Sequence, residues 1–263
     1  MKKKIIAANF KMNKTNEDIR KYFAVFLDLI NGLKDKISAG DSDLDSELIF
    51  APPFTSLCET LNIIEPYLDF IKLSSQNVYF EKSGAHTGEV SIDMIKSCGC
   101  DYAIIGHSER RNIFRESDEL IGKKIGAVYN DGRIIPILCV GENLEIRKRN
   151  GQEKFVENQL AVGLNSVKGK SVSSLIVAYE PVWAIGTGMP IKADDGEAMH
   201  GFIYDYIKSG FSIGELRVIY GGSVTEANIE ELMGKPHIDG VLVGGASLDP
   251  QSFYNIFKKG GRL

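Results

Sequence analysis

Residues 175–188 read LIVAYEPVWAIGTG, and their reading decides the fold. Four apolar residues in a row, Leu175 to Ala178, suit a strand covered on both sides rather than one that alternates between core and water. The run ends in Tyr179 and a carboxylate, Glu180. Pro181, the chain's one tryptophan (Trp183), Gly186 and Gly188 follow. A strand that delivers an acid to its end and then opens into a glycine-tipped loop fits an architecture with its chemistry at the strand ends.

The same unit recurs outward in both directions. Further apolar runs stand at 4–9, 47–51, 71–74, 102–106, 134–140, 215–220 and 240–243, eight with the first. Amphipathic stretches lie between them at 16–35, 55–65, 118–131, 145–165, 194–210, 225–234 and 250–258, with a short helix expected near 109–114. In the first, Ile19, Phe23, Phe26, Leu27 and Ile30 share a face, and Thr15 with Asp18 forms a capping box. Eight β-then-α units in 263 residues predict one (β/α)8 TIM barrel domain over 1–263; an open doubly wound sheet is the competitor.

Composition narrows the function. A formal net charge of -4 gives no reason to expect nucleic acid or an anionic membrane as partner. The opening MKKKIIAANFKMN has too short an apolar run for a signal peptide, and no run is long enough to span a membrane. The four cysteines, Cys58, Cys98, Cys100 and Cys139, lack the spacing of a zinc site and read as reduced thiols of a cytoplasmic protein. Asp41, Asp43 and Asp45 imitate a calcium loop, but Ser46 and Pro52 occupy the positions of its glycine and its bidentate glutamate. His200 and His237 have no ligand partner at metal spacing. None of these residues reads as a metal site.

Barrel enzymes place their sites at the C-terminal ends of the strands. Strand 1 ends in Asn9 and Lys11, a charge that is costly there unless used or paired, although it could snorkel to water. Strand 4 ends in His107 before Ser108 and Glu109. That is a helix start whose dipole favours neutral imidazole; a structural cap is the alternative. Glu180 lies among Tyr179, Pro181 and Trp183, where desolvation would raise its pKa and suit it to act as a base; a rim salt bridge is the plainer reading. Strands 7 and 8 end in Gly221-Gly222-Ser223 and Gly244-Gly245-Ala246-Ser247. Their N–H groups can cradle a phosphate, especially with a short helix after strand 8.

Taken together, these segments resemble the triosephosphate isomerase family. The matching pieces are NFKMN at 9–13, GEVS at 88–91, IGHSERR at 105–111, ILCVGE at 137–142, YEPVWAIGTG at 179–188, YGGS at 220–223 and VGGAS at 243–247, in order from end to end. The resemblance implies cofactor-free interconversion of dihydroxyacetone phosphate and D-glyceraldehyde 3-phosphate through an enediolate. It assigns Glu180 as base, His107 as neutral electrophile, Lys11 as enediolate-stabilising cation, Asn9 as a polar neighbour and Glu109 as a positioning carboxylate. The glutamate base, neutral histidine and closing loop are this family's known case rather than a deduction from these residues.

The resemblance further implies a lid from Pro181 through Val182, Trp183, Ala184, Ile185 and Gly186 to Thr187. Phosphate is to be held by Gly186, Ser223, Gly244 and Gly245. Tyr220 and Ser223 latch the closed lid, while Glu142 and Tyr179 exchange contacts with Trp183 as it moves. A cytoplasmic homodimer is implied, with Gln76, His86 and Thr87 at the interface and Thr87 near the partner's Lys11. Three departures stand out. Met189-Pro190-Ile191 follows the lid, which suggests a stiffer hinge. His86 stands where phenylalanine is usual, so protonation is expected to weaken the dimer. Phe10 replaces a tryptophan. The rivals are another phosphate-binding barrel enzyme, such as a sugar-phosphate epimerase or an indole-pathway isomerase, and a triose-phosphate-binding protein without catalysis.

Overall fold

The computed structural model describes residues 3–38, 46–185 and 191–261, with side chains of 33–38 left aside. Eight parallel strands close on themselves in chain order: β1 Lys4–Asn9, β2 Ser46–Ala51, β3 Ile71–Ser75, β4 Tyr102–Ile105, β5 Ile135–Val140, β6 Ser171–Tyr179, β7 Ser212–Tyr220 and β8 Gly240–Val243. Closure comes from β8 pairing with β1, Ile5 opposite Gly240. The (β/α)8 expectation is met and the open sheet is excluded.

Each strand divides its side chains by parity. Ile6, Ala8, Val177, Tyr179, Val218 and Tyr220 face the surrounding helices, within the large core between sheet and helices. Ile5, Ala7, Ile137, Cys139, Ile176 and Ala178 point inward and fill the barrel. Successive side chains alternate, so each inward row continues to a predictable last member. From Ile5 and Ala7 it reaches Asn9; from Ile176 and Ala178 it reaches Glu180.

Ten helices flank the sheet among the described residues: α1 Asn16–Ser38, α2 Leu57–Ile64, α3 Ile92–Ser97, α4 Ser108–Asn112, α5 Asp118–Asp131, α6 Leu144–Lys148, α7 Gln152–Gly163, α8 Ala193–Gly210, α9 Ile229–Met233 and α10 Pro250–Gly260. The α1 capping box forms as expected: Asp18 Oδ2 accepts from the Thr15 N–H at 2.9 Å and the Asp18 N–H donates to Thr15 Oγ1 at 3.3 Å.

Several boundaries differ from expectation for local reasons. The stretch 145–165 is two helices, because Asn150 takes φ 55° between them. α3 was not expected: its six residues are too few to display a helical period, and it rests on a Ser91 cap. α9 covers only the end of 225–234, since Asn228 Oδ1 instead closes a turn on the Thr225 N–H. β6 and β7 start earlier than their apolar runs, with polar Ser171 paired to Ser212.

The reduced-thiol reading fails for two of the four cysteines. Cys58 on α2 and Cys98 beyond α3 form a disulfide across 40 residues of chain, with Cα atoms 4.8 Å apart. Proximity in sequence pointed to Cys98 and Cys100, but the fold brings the ends of two neighbouring helices together instead. Cys100 and Cys139 are buried free thiols. Among the described residues no helix is long and apolar enough to cross a membrane, and no three metal-ligating side chains cluster. The aspartates at 41, 43 and 45 lie outside the described residues.

Candidate active site

The inward rows end together at one mouth of the barrel. Glu180 is 2% exposed. Its Oε2 accepts the backbone N–H of Ser108 at 2.8 Å, and its Oε1 lies 3.1 Å from His107 Nε2. Room for this carboxylate is made by glycine on both neighbouring strands. A Cβ on Gly141 would fall 1.7 Å from the Glu180 carbonyl oxygen, and one on Gly221 would fall 2.9 Å from Glu180 Cγ.

His107 caps α4. Its Nδ1 accepts the Glu109 N–H at 3.3 Å, so that nitrogen carries no proton and Nε2–H is the donor directed at Glu180. The expected helix start is present.

Lys11 holds φ 52°, a left-handed backbone for a residue with a Cβ. Three contacts sustain it. Asn9 Oδ1 accepts its N–H at 3.0 Å, the Gln76 amide donates to its carbonyl at 2.8 Å, and Glu109 Oε1 takes its ammonium at 2.6 Å. Gln76 therefore has a task inside the subunit, whatever it does at an interface. Gly244 leaves space for the lysine stem: a Cβ there would sit 3.3 Å from Lys11 Cε.

Asn9, Lys11, His107 and Glu180 line one cavity of about 370 Å³ together with Gly222, Ser223, Gly244 and Gly245. The short helix expected after β8 is a 3-10 turn, Gly245–Leu248. Reactive side chains and glycine-rich backbone in one cavity fit a small anionic substrate with an activated C–H. Ile185 also lines the cavity, whereas Gly186, Thr187 and the segment Gly188-Met189-Pro190 lie outside the described residues.

Behind the cavity, Glu142 is fully buried and accepts from the Tyr179 hydroxyl at 2.9 Å and from Trp183 Nε1 at 2.9 Å. Among the described residues the buried Tyr220 hydroxyl has no full hydrogen bond, and burial pushes its pKa up to about 12. It occupies the space a Gly222 Cβ would need, 2.1 Å away. His86 and Thr87 lie apart from the cavity on an exposed arm, where the His86 ring packs on Tyr79 at 4.9 Å.

The family model for triosephosphate isomerase matches residues 4–260. The chain belongs to the triosephosphate isomerase family. Triosephosphate isomerase of Dictyoglomus thermophilum is 44% identical over 261 residues, covering 98% of this chain and 100% of that one. The Aquifex aeolicus protein of the same name is 43% identical, covering 97% and 98%. The crystal structure of triosephosphate isomerase from Bartonella henselae superposes with TM-score 0.80 at 32% identity, covering 98% of each chain. As a member of the triosephosphate isomerase family, the chain is an aldose–ketose isomerase of triose phosphates, an activity of glycolysis.

One buttress went unassigned in the sequence. Arg111 donates from Nε to the Gly106 carbonyl at 2.7 Å and from Nη2 to the Cys139 carbonyl at 2.9 Å, tying the ends of β4 and β5 beneath His107. The paired arginines at 110 and 111, in the short helix that follows β4, were the available signal.

Proposed function

We propose that the cavity interconverts dihydroxyacetone phosphate and D-glyceraldehyde 3-phosphate through an enediolate, with Glu180 as the single base. The observation that carries this reading is the adjacency of Glu180 Oε1 and His107 Nε2, 3.1 Å apart, in the cavity that Ser223, Gly244 and Gly245 also line. A carboxylate removes a proton from the carbon beside a carbonyl only if the oxygen that gains charge is stabilised in the same step. His107 Nε2–H and the Lys11 ammonium supply that stabilisation; Asn9 orients Lys11, and Glu109 positions its charge. Glu180 then returns the proton to the neighbouring carbon, while His107 relays a proton between the two oxygens.

In the rest position Glu180 is held by Ser108 and His107, so substrate binding has to draw the carboxylate toward the reacting carbon. The chain from Pro181 to Thr187 follows it directly, so closing over the phosphate and moving the base become one event. Closure also protects the enediolate, which would expel phosphate in open water. Gly186, Ser223, Gly244 and Gly245 grip the phosphate, and Tyr220 with Ser223 latches the closed form.

The same reading takes residues 1–263 as one barrel domain working as a cytoplasmic homodimer without cofactor. Exposed Met12, Met94, Ile113 and Phe114, 54–96% accessible, are apolar surface that a second subunit would cover, and the arm bearing His86 and Thr87 belongs to that contact. A coupled isomerisation assay on wild type and Glu180→Asp tests the proposal. A large fall in kcat with phosphate-ligand affinity retained supports it; a wild type that does not isomerise triose phosphates defeats it.

A further inference from the structure

Arg147, on α6, touches three segments that the sequence keeps far apart. Its guanidinium lies 5.8 Å from the centroid of the Trp183 ring. Nη1 lies 4.0 Å from Glu142 Oε1, and Nη2 lies 3.4 Å from Asp195 Oδ2 in the first turn of α8. Glu142 is fully buried, and among the described residues its hydrogen bonds come from neutral donors, Tyr179 and Trp183. Among the described residues Arg147 is the only cation within 4.0 Å of it. A buried carboxylate needs such a counter-charge.

The geometry sets two states against each other. Trp183 Nε1 and Arg147 Nη1 both approach the same oxygen, Glu142 Oε1, the indole at 2.9 Å and the guanidinium at 4.0 Å. At the latter distance the arginine contributes attraction without a hydrogen bond. Asp195 draws the guanidinium the other way, toward a position from which it also faces the indole ring. While Asp195 holds it there, Trp183 keeps its bond to Glu142. Released from Asp195, Arg147 can bond Oε1 itself and take the indole's place.

We propose that Arg147 is a positioning residue for the loop that follows Glu180: pinned by Asp195, it keeps Trp183 on Glu142 and thereby sets how readily that loop leaves its rest position. The proposal rests on the isomerase reading above. It adds a charge pair, Arg147–Asp195, that adjusts the resting state and touches neither substrate nor reacting atoms.

The test uses Asp195→Asn. Asp195 is 52% exposed, so the variant is expected to fold. Trp183 is the only tryptophan, so fluorescence excited beyond the tyrosine absorption band reports this ring alone. We expect altered Trp183 emission in the unliganded variant. Affinity for 2-phosphoglycolate, whose carboxylate copies the enediolate oxygens, should rise by about two- to fivefold, the range for a partly exposed ion pair. KM should fall by a similar factor without a rise in kcat. High salt screens the pair, so the variant-to-wild-type affinity ratio should approach unity there. Asp195→Glu should restore wild-type behaviour. Emission and affinity equal to wild type at low salt overturn the proposal, as does a difference that high salt leaves unchanged. Wild-type turnover in the same preparations judges the isomerase reading separately.

Discussion

Glu180 reaches the backbone N–H of Ser108 across 72 residues of sequence, at 2.8 Å. The group proposed to take a proton from substrate is thus held, at rest, by the first residue of the helix that carries His107. Base and electrophile are positioned by one structural joint.

That joint can be cut. Ser108 is the first residue of α4, and His107 before it has φ −50° and ψ 145°, a conformation that accepts a following proline. Ser108→Pro removes that N–H together with the Ser108 hydroxyl, and its ring Cδ takes the place the carboxylate occupies at rest. A hydrogen bond to a charged group contributes about 1.5–3 kcal/mol. Freed of it, Glu180 should move more readily toward ligand, and calorimetry should show 2-phosphoglycolate bound about tenfold more tightly. Unchanged or weaker binding would count against a parked base.

Lys11→Met keeps the length of the stem and deletes the charge. Losing one preorganised donor to a developing oxyanion costs about 10²–10³ in kcat. Steady-state kinetics should show a fall of that order, with circular dichroism unchanged. A variant retaining more than half the wild-type kcat would remove Lys11 from the mechanism.

Gly141→Ala tests packing rather than chemistry. Its Cβ would meet the Glu180 carbonyl at 1.7 Å, backbone against backbone, so no side chain can swing aside. We expect a loss of more than about 3 kcal/mol, read from the urea midpoint, or failure to fold.

Fold and site were legible in the sequence to different depths. The barrel could be read because each strand is an unbroken apolar run, and Asn9, Lys11, His107 and Glu180 because polar residues at the ends of such runs are expensive unless used. Their convergence was not legible from composition or period: for Asn9, Lys11 and Glu180 it follows from parity and register in a closed sheet, and for His107, which has the parity of the helix-facing Ala103 and Ile105, from the turn at Gly106, φ 73°. Arg147 and Asp195 escaped notice because ordinary helix-surface charges give no local signal, and Cys58–Cys98 because its partners meet only after two helices pack.

The disulfide predicts a redox effect on stability. Closing a loop of 40 residues restricts the unfolded chain and typically contributes about 2–4 kcal/mol. Adding a thiol reductant should lower the urea midpoint, and Cys98→Ser should match the reduced wild type with no further response. Identical midpoints with and without reductant would show that the link contributes nothing.

His200 predicts a pH effect. It is fully buried, packs edge-on to the Tyr179 ring at 5.7 Å, bonds the Gly196 carbonyl through Nδ1 at 2.7 Å, and among the described residues leaves Nε2 without a partner. Burial lowers its pKa from 6.5 to about 4. Below 6.5 the unfolded chain binds a proton that the folded chain refuses, so stability present above pH 6.5 is lost as pH falls toward 4, by up to about 3 kcal/mol. Chemical denaturation across that range should show the loss, and His200→Gln should flatten it.

The inward row of β6, Ile176, Ala178 and then Glu180, gives the carboxylate an address counted in pairs from the barrel floor. Loops outside the sheet can lengthen by any number. Between Leu175 and Tyr179, however, a single-residue deletion would turn every later side chain over and send Glu180 toward the helices. Strand 6 can change length only in steps of two if the acid is to keep facing the cavity, and an even-numbered edit would still shift it by a full layer. Natural variation in this family should therefore be free in its connecting loops and arithmetically constrained in the few residues that deliver the base.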